Sequence, residues 1–226
     1  MLPTDSSLPS LTYGPTHADW CLVALHGWGA NAADLVGLAP YLGLEGFTML
    51  FPDAPWPHPQ VPGGRMWYGF PAGYDFRRPH DFAAQADLQS SRDRTIAWLL
   101  NLAKTTQISL ERTILAGFSQ GGAMALDVGA QLPLAGQIIL SGYLHSPARP
   151  PVAPRPVMMV HGAFDPVVPV TLAQRAKAEL EALGQPVSWH ELAMGHEIPP
   201  PAMGLIAGFC EDLRLAAGNT PVQPLG

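Results

Sequence analysis

The chain has few charged side chains for its size. Lys, Arg, Asp and Glu make up 13% of its 226 residues, against about 25% in an average globular protein. The 12 basic residues are outnumbered by 18 acidic ones, which gives a formal net charge of −6, and the basic residues form no run. Because binding to a phosphate backbone requires a basic surface, we do not expect nucleic acid as a partner.

Cysteine and long apolar runs are also scarce. Two cysteines, Cys21 and Cys210, cannot build a disulfide scaffold or a four-thiolate zinc site, and we expect both to be small buried residues. The longest uncharged stretch, residues 128–148, is interrupted by proline and polar side chains, so no membrane span is predicted. The N-terminal residues lack the basic and apolar segments of a secretory signal, and a cytoplasmic location is therefore expected.

Short apolar runs alternate with longer amphipathic ones, which indicates an α/β fold. With 226 residues, 47% of them hydrophobic, we expect one domain over residues 1–226. Strands are predicted at Trp20–His26, Phe47–Phe51, Thr113–Phe118, Gln137–Ser141, Val157–His161 and Val187–Glu191. Helices are predicted at Ala32–Leu42, Phe82–Ala103, Gly121–Gln131, Val170–Leu183 and Ala202–Ala217. Most of these strands are apolar throughout, so we expect a mostly parallel central sheet with helices on both faces.

Residues 52–80 form a segment that is too long and too aromatic for an ordinary linker. It contains many prolines together with seven large apolar side chains, Trp56, Met66, Trp67, Tyr68, Phe70, Tyr74 and Phe76. We therefore expect a folded excursion that packs over one end of the sheet. The last residues, 218–226, are predicted to be a flexible tail.

The strongest local motif is Gly117-Phe118-Ser119-Gln120-Gly121. It matches G-x-S-x-G and lies between an apolar strand and a helical run. In that context a sharp turn presents the serine hydroxyl above the sheet, and small flanking residues are needed because the backbones crowd. The pattern predicts that Ser119 is a nucleophile.

A serine nucleophile needs a histidine base and a carboxylate that orients the histidine. Asp165 and His196 follow two later predicted strands, in the order Ser, Asp, His that serine hydrolases with this turn use. We therefore predict the triad Ser119, Asp165 and His196. His161 precedes Asp165 and is expected to bond within the turn that presents it.

Other acids are weaker candidates for the orienting carboxylate. Asp127 lies within a predicted helix and is expected to be structural or solvated, while Asp53, Glu191 and Glu197 remain alternatives. No P-loop and no H-E-x-x-H pattern occurs, so no metal site is predicted.

Acyl transfer also requires donors that stabilise the oxyanion. The backbone N–H of Gln120, directly after the nucleophile, is one candidate, and the N–H of Trp28 in His26-Gly27-Trp28-Gly29 is the other. Residues Gly27–Ala32 also match G-x-G-x-x-A, a dinucleotide-binding pattern in which Asp53 would bind the ribose. That alternative is disfavoured because Trp28 is bulky and because it leaves Ser119, Asp165 and His196 unexplained.

These residues resemble the phospholipase/carboxylesterase family, which includes acyl-protein thioesterases and small bacterial carboxylesterases. The matching segments are LHGWGAN (Leu25–Asn31), FPDAPWP (Phe51–Pro57), GGRMWYGF (Gly63–Phe70), LAGFSQGGAMALDVG (Leu115–Gly129), LSGYL (Leu140–Leu144), HGAFDPVVP (His161–Pro169) and MGHEI (Met194–Ile198). The resemblance implies an α/β-hydrolase fold without a large cap domain, no cofactor, and hydrolysis of carboxylic esters or thioesters. It also implies the roles assigned above to Ser119, Asp165, His196, Trp28 and Gln120.

The substrate is expected to be a small or lipid-like ester with an apolar acyl group. Six residues are predicted to line its pocket, Trp28, Trp67, Tyr68, Phe70, Leu144 and Met194. Two other functions stay open, a catalytically idle binding module on the same fold and a peptidase. The acyl length, the leaving group and the oligomeric state are not predicted.

Overall fold

A computed structural model describes residues 7–78 and 80–218 of the chain. The strands in these ranges are β1 (Ser10–Tyr13), β2 (Trp20–Leu25), β3 (Phe47–Pro52), β4 (Trp56–Pro57), β5 (Arg65–Met66), β6 (Thr113–Phe118), β7 (Gly136–Leu140), β8 (Val157–Gly162) and β9 (Val187–Leu192). The helices are α1 (Ala32–Val36), α2 (Ala86–Thr106), α3 (Gln120–Gly129), α4 (Val170–Ala182) and α5 (Pro200–Gly218), with 3₁₀ turns at Ala39–Tyr41 and Leu110–Arg112. None of the described helices combines the length and apolar character that crossing a membrane requires.

Seven strands form one sheet in the order β1-β3-β2-β6-β7-β8-β9. Strand β1 runs antiparallel to β3, and the other neighbours are parallel. The six predicted strands are confirmed, each within one residue at either end. The prediction of a mostly parallel sheet is therefore confirmed as well.

Successive residues of the central strands point into two separate cores. Leu22 belongs to one core and Val23 to the other, and Met158 and Met159 divide in the same way, as the period of two in a strand requires. Helices α2, α3 and α4 cover the face that includes Val23, while α1 and α5 cover the face that includes Leu22. Helices thus lie on both faces, as predicted.

The first helix is much shorter than the predicted Ala32–Leu42. It starts after the N-cap Asn31, whose side chain accepts from the Ala33 N–H, and it ends at Gly37. Pro40 then opens a 3₁₀ turn, because a proline ring has no N–H to continue an α-helix.

Helix α2 and strand β1 also differ from the predictions. Helix α2 begins at Ala86 rather than at Phe82, since Phe82 forms a separate turn with Gln85 and is buried in the core. Strand β1 was not predicted, because a run of four residues is too short to identify a strand; all four are exposed. Residues 219–226 of the predicted tail lie outside the described residues, and α5 extends to Gly218.

In the described part of residues 52–80 the chain folds locally. The segment folds into the two-stranded sheet β4–β5 and then crosses the carboxyl end of the large sheet. There the indole N–H of Trp67 donates to the carbonyl of His26, directly after β2, at 2.8 Å.

A buried charge cluster joins α2, α3 and the loop after β7. The carboxylate of Asp127 on α3 accepts from Arg92 of α2 at 2.6 Å, from Arg149 at 2.8 Å and lies 3.1 Å from His145 Nε2. Burial opposes ionisation of Asp127, but the hydrogen bonds and charges of His145 and Arg92 outweigh it and lower its pKa to about 2. Asp127 is therefore structural, as expected from its place in the helix.

We expect Asp127→Asn to lower the free energy of unfolding at pH 7 by about 3 kcal/mol, because it leaves Arg92 buried without a counter-charge. The folded-state pKa lies below the unfolded value, so this stabilisation is present above about pH 4 and is lost as the pH falls toward 2. Urea denaturation at pH 7 and at pH 3 measures both effects. Glu111→Gln, at an exposed site, is the control and should change stability by less than about 0.5 kcal/mol.

Candidate active site

Ser119 occupies a strained turn between β6 and α3. Its backbone has φ 54° and ψ −116°, a conformation that residues with a side chain rarely adopt. Its N–H donates to the carbonyl of Leu140 on the neighbouring strand at 2.8 Å, and its carbonyl accepts from Ala123 in α3. The turn is thus held on both sides, and it presents the hydroxyl at the carboxyl end of the sheet.

Glycine is required on both sides of this turn. A Cβ on Gly117 would lie 2.1 Å from the carbonyl oxygen of Gly121, and a Cβ on Gly121 would lie 2.2 Å from the carbonyl oxygen of Leu25. Strand β6, helix α3 and strand β2 therefore approach one another more closely than any side chain allows.

Asp165 and His196 are in direct contact. Oδ1 of Asp165 accepts from the backbone N–H groups of Val167 and Val168 at 2.9 and 2.8 Å. Its Oδ2 lies 2.7 Å from Nδ1 of His196, and the carboxylate side chain is fully buried. Because an ionised carboxylate only accepts, Nδ1 carries the proton and Nε2 of His196 is the basic nitrogen.

His196 and Ser119 line the same cleft. The ring of His196 also packs against Phe118, with centroids 4.8 Å apart. The structure therefore brings the three predicted triad residues to one edge of the sheet, after β6, β8 and β9.

His161 lies in the turn that presents Asp165, as expected. Its Nε2 is 2.9 Å from the carbonyl of Val168 and 3.5 Å from Oδ2 of Asp165. Burial lowers the pKa of His161, and the neutral ring donates its Nε2 proton to the carbonyl.

The alternative acids have partners away from the cleft. Asp53 accepts from the N–H of Ala32 at the start of α1 at 2.8 Å. Glu191 accepts from Gln174 on α4, and Glu197 from the N–H of Gly195. None of these three carboxylates lies among the described residues that line the cleft.

The segment after β2 forms a tight turn beside Ser119. Nδ1 of His26 donates to the carbonyl of Gly27 at 2.8 Å, and Nε2 accepts from the N–H of Ala54 at 3.0 Å. Burial lowers the pKa of His26, which keeps this ring neutral. Among the described residues, the N–H groups of Trp28 and Gln120 have no hydrogen-bond partner, so both are available to an oxyanion.

The side chain of Gln120 has a role that the sequence did not indicate. It is fully buried, and its amide accepts from the N–H of Trp67 at 2.9 Å and donates to the carbonyl of Tyr68 at 2.7 Å. The residue after the nucleophile therefore fixes the backbone of the aromatic segment that crosses the sheet. This contact spans more than fifty residues of sequence, and no local pattern reveals it.

The cleft has a volume of about 540 Å³ and an aromatic wall. Phe70 and Tyr74 stack in parallel with centroids 4.8 Å apart, and Trp28 packs against Phe70 at 5.4 Å. The lining consists of Trp28, Pro59, Gln60, Phe70, Pro71, Ala72, Gly73, Tyr74, Phe76, Ser119, Val167 and His196. It includes no Lys, Arg, Asp or Glu side chain, so the cleft suits neutral, apolar groups.

Two of the six predicted lining residues, Trp28 and Phe70, lie in the cleft wall. Trp67 and Tyr68 are 0% exposed and belong to the core, which corrects the expectation for both. The hydroxyl of Tyr68 pairs with that of Tyr143 at 2.7 Å, and the indole N–H of Trp67 is bonded to the backbone. Each ring thus has its polar partner inside the protein.

The other two predicted lining residues also lie elsewhere. Met194 is buried in the core on the face of α1 and α5. Leu144 borders a separate depression beside His80 and Arg175. The expectation that they contact the acyl group is corrected accordingly.

A family model described as phospholipase/carboxylesterase matches residues 13–213. The chain belongs to the phospholipase/carboxylesterase family. It is 30% identical to acyl-protein thioesterase 1 of Saccharomyces cerevisiae over 176 residues, which cover 69% of this chain and 74% of that protein. The match to acyl-protein thioesterase 1 of Gibberella zeae, 36% identical, covers 44% of this chain and spans about half of that protein, 47%.

The crystal structure of esterase PE8 is similar over 91% of this chain and 99% of that chain, with a TM-score of 0.81 and 28% identity. The fold is thus that of the α/β-hydrolases, and the described residues form no large cap. These similarities identify the protein as an esterase- or thioesterase-like hydrolase, which confirms the prediction from the sequence.

We expect Gly121→Ala to reduce ester hydrolysis by at least about 100-fold, because the new Cβ would displace the turn that carries Ser119. Initial rates with a p-nitrophenyl ester, together with thermal unfolding, measure the effect. Gly204→Ala is the matched control, since a Cβ there meets no atom within 4 Å and alanine favours a helix. Wild-type activity in Gly121→Ala would contradict the role given to this close approach.

Proposed function

We propose that the protein is a serine esterase that cleaves neutral esters or thioesters with apolar acyl groups through an acyl-enzyme. Ser119 is the nucleophile, His196 the base and Asp165 the group that orients the base. The observation that carries the proposal is the 2.7 Å contact between Asp165 and His196 Nδ1, in a cleft that also contains the strained Ser119.

The position of the proton on His196 determines the order of the proton transfers. Asp165 holds Nδ1–H, so Nε2 of His196 accepts the Ser119 proton as the hydroxyl attacks the acyl carbon. The resulting oxyanion is stabilised by the N–H groups of Trp28 and Gln120. His196 then protonates the leaving alcohol or thiol, and in the second half it deprotonates a water molecule that releases the acid from Ser119.

Substrate choice depends on the lining of the cleft. Aromatic and aliphatic side chains exclude water from an acyl or aryl group, and a carboxylate or ammonium on the substrate would have no counter-charge in the wall. A neutral ester of moderate size is therefore the preferred substrate class. Neither ester nor thioester is favoured by the residues of the wall.

We expect Ser119→Ala to reduce hydrolysis of p-nitrophenyl butyrate by at least about 10³-fold while the protein stays folded. A fluorophosphonate probe should label one equivalent of the wild type at Ser119 and none of the variant. Ser188→Ala, an exposed serine on β9, is the matched control and should behave as wild type. Undiminished turnover in Ser119→Ala would refute the mechanism, and an inert wild type would favour a binding module.

We expect the wild type to hydrolyse p-nitrophenyl butyrate much faster than the anionic p-nitrophenyl hemisuccinate. Gln60→Lys puts a cation in the cleft lining and should raise the relative kcat/KM for the hemisuccinate about fivefold, as one partly exposed ion pair allows. Gln89→Lys, exposed on α2, is the matched control. Equal wild-type rates for the two esters would show that the neutral wall does not select the substrate.

A further inference from the structure

The small hairpin β4–β5 is attached to the turn that carries Trp28. The N–H of Gly29 donates to the carbonyl of Arg65 at 2.9 Å, and the N–H of Arg65 donates to the carbonyl of Ala30 at 2.8 Å. A Cβ on Gly64 would lie 2.5 Å from the carbonyl oxygen of Gly29. The hairpin and the turn therefore move as one unit.

His58 is a buried histidine inside this hairpin, with 7% of its surface exposed. Its Nδ1 accepts from the backbone N–H groups of Gln60 and Val61 at 3.1 and 2.9 Å. A nitrogen that accepts two hydrogen bonds carries no proton, so the proton of the neutral ring is on Nε2.

The imidazole of His58 packs against the indole of Trp28. Nε2 has no hydrogen-bond partner among the described residues. The imidazole and indole centroids are 4.1 Å apart with the planes at 74°. A Cβ built on Gly29 would lie 3.7 and 3.9 Å from Cδ2 and Nε2, so this edge points toward the turn. An edge-to-face arrangement of two aromatic rings is favourable.

We propose that His58 is a positioning residue for the ester reaction. It holds the Trp28 indole and, through the indole, the turn after β2 that carries the Trp28 N–H. The proposal rests on the function proposed above. The indole is 41% exposed and would otherwise be free to rotate on its solvent side. His58 packs against it from the hairpin and Phe70 from the cleft wall.

His58→Asn separates this role from the folding of the hairpin. Oδ1 of asparagine can take the place of Nδ1 and accept from the N–H groups two and three residues later, as in an Asx turn. The variant therefore keeps the loop but removes the ring edge from Trp28. His17→Asn, at an exposed histidine, is the matched control.

The test is a double-mutant cycle with Trp28→Ala. Each rate is divided by the concentration of Ser119 that a fluorophosphonate labels once labelling is complete. Unfolded protein, which the probe does not label, therefore does not lower kcat. We expect His58→Asn to lower kcat about tenfold with a smaller change in KM, since small displacements of a catalytic group are costly. In the Trp28→Ala background the same substitution should change kcat less than twofold, because its target is gone.

Three results would overturn the proposal. Unchanged kcat in His58→Asn would show that His58 only shapes the hairpin. An equal loss in both backgrounds would show that it acts by a route other than Trp28. If the wild type hydrolyses no ester, the proposed function itself fails. The first two results leave that function in place and refute only the role of His58.

Discussion

The close approach of three backbone segments at Gly117, Gly121 and Leu25 is the constraint on which the catalytic end depends. Neither glycine position tolerates a Cβ, so β2, β6 and the start of α3 are fixed relative to one another. This contact places the residue after the nucleophile beside the turn that follows β2. The two N–H groups assigned to the oxyanion thus belong to segments whose backbones are in contact. The sheet therefore fixes the distance between these two N–H groups.

A second set of contacts connects these fixed segments to the cleft wall. The amide of Gln120 holds the backbone of Trp67 and Tyr68, and the carboxylate of Asp87 accepts from the N–H of Gly69. Phe70 follows directly and enters the wall. The position of the wall therefore depends on a chain of hydrogen bonds that begins next to Ser119.

The sequence predicted the sheet well because most of its strands are apolar throughout, and it predicted the candidate triad because each member follows a predicted strand. It did not predict β1, whose four residues are too short a run to identify a strand. It also misplaced Trp67 and Tyr68, since an aromatic residue suits a core and a cleft equally well. Their burial depends on polar partners far away in sequence, such as Tyr143. The contact of His58 with Trp28 was missed for the same reason.

Most of the aromatic wall comes from one short stretch of chain, residues 70–76, which lies between β5 and α2 and contributes six of the cleft residues. The groups assigned to bond making follow strands of the large sheet instead. The residues of the wall and the candidate triad are thus encoded in separate parts of the gene. Substitutions within these seven codons would reshape the wall while leaving every strand of the large sheet unchanged in sequence, which makes the stretch a suitable target for directed evolution.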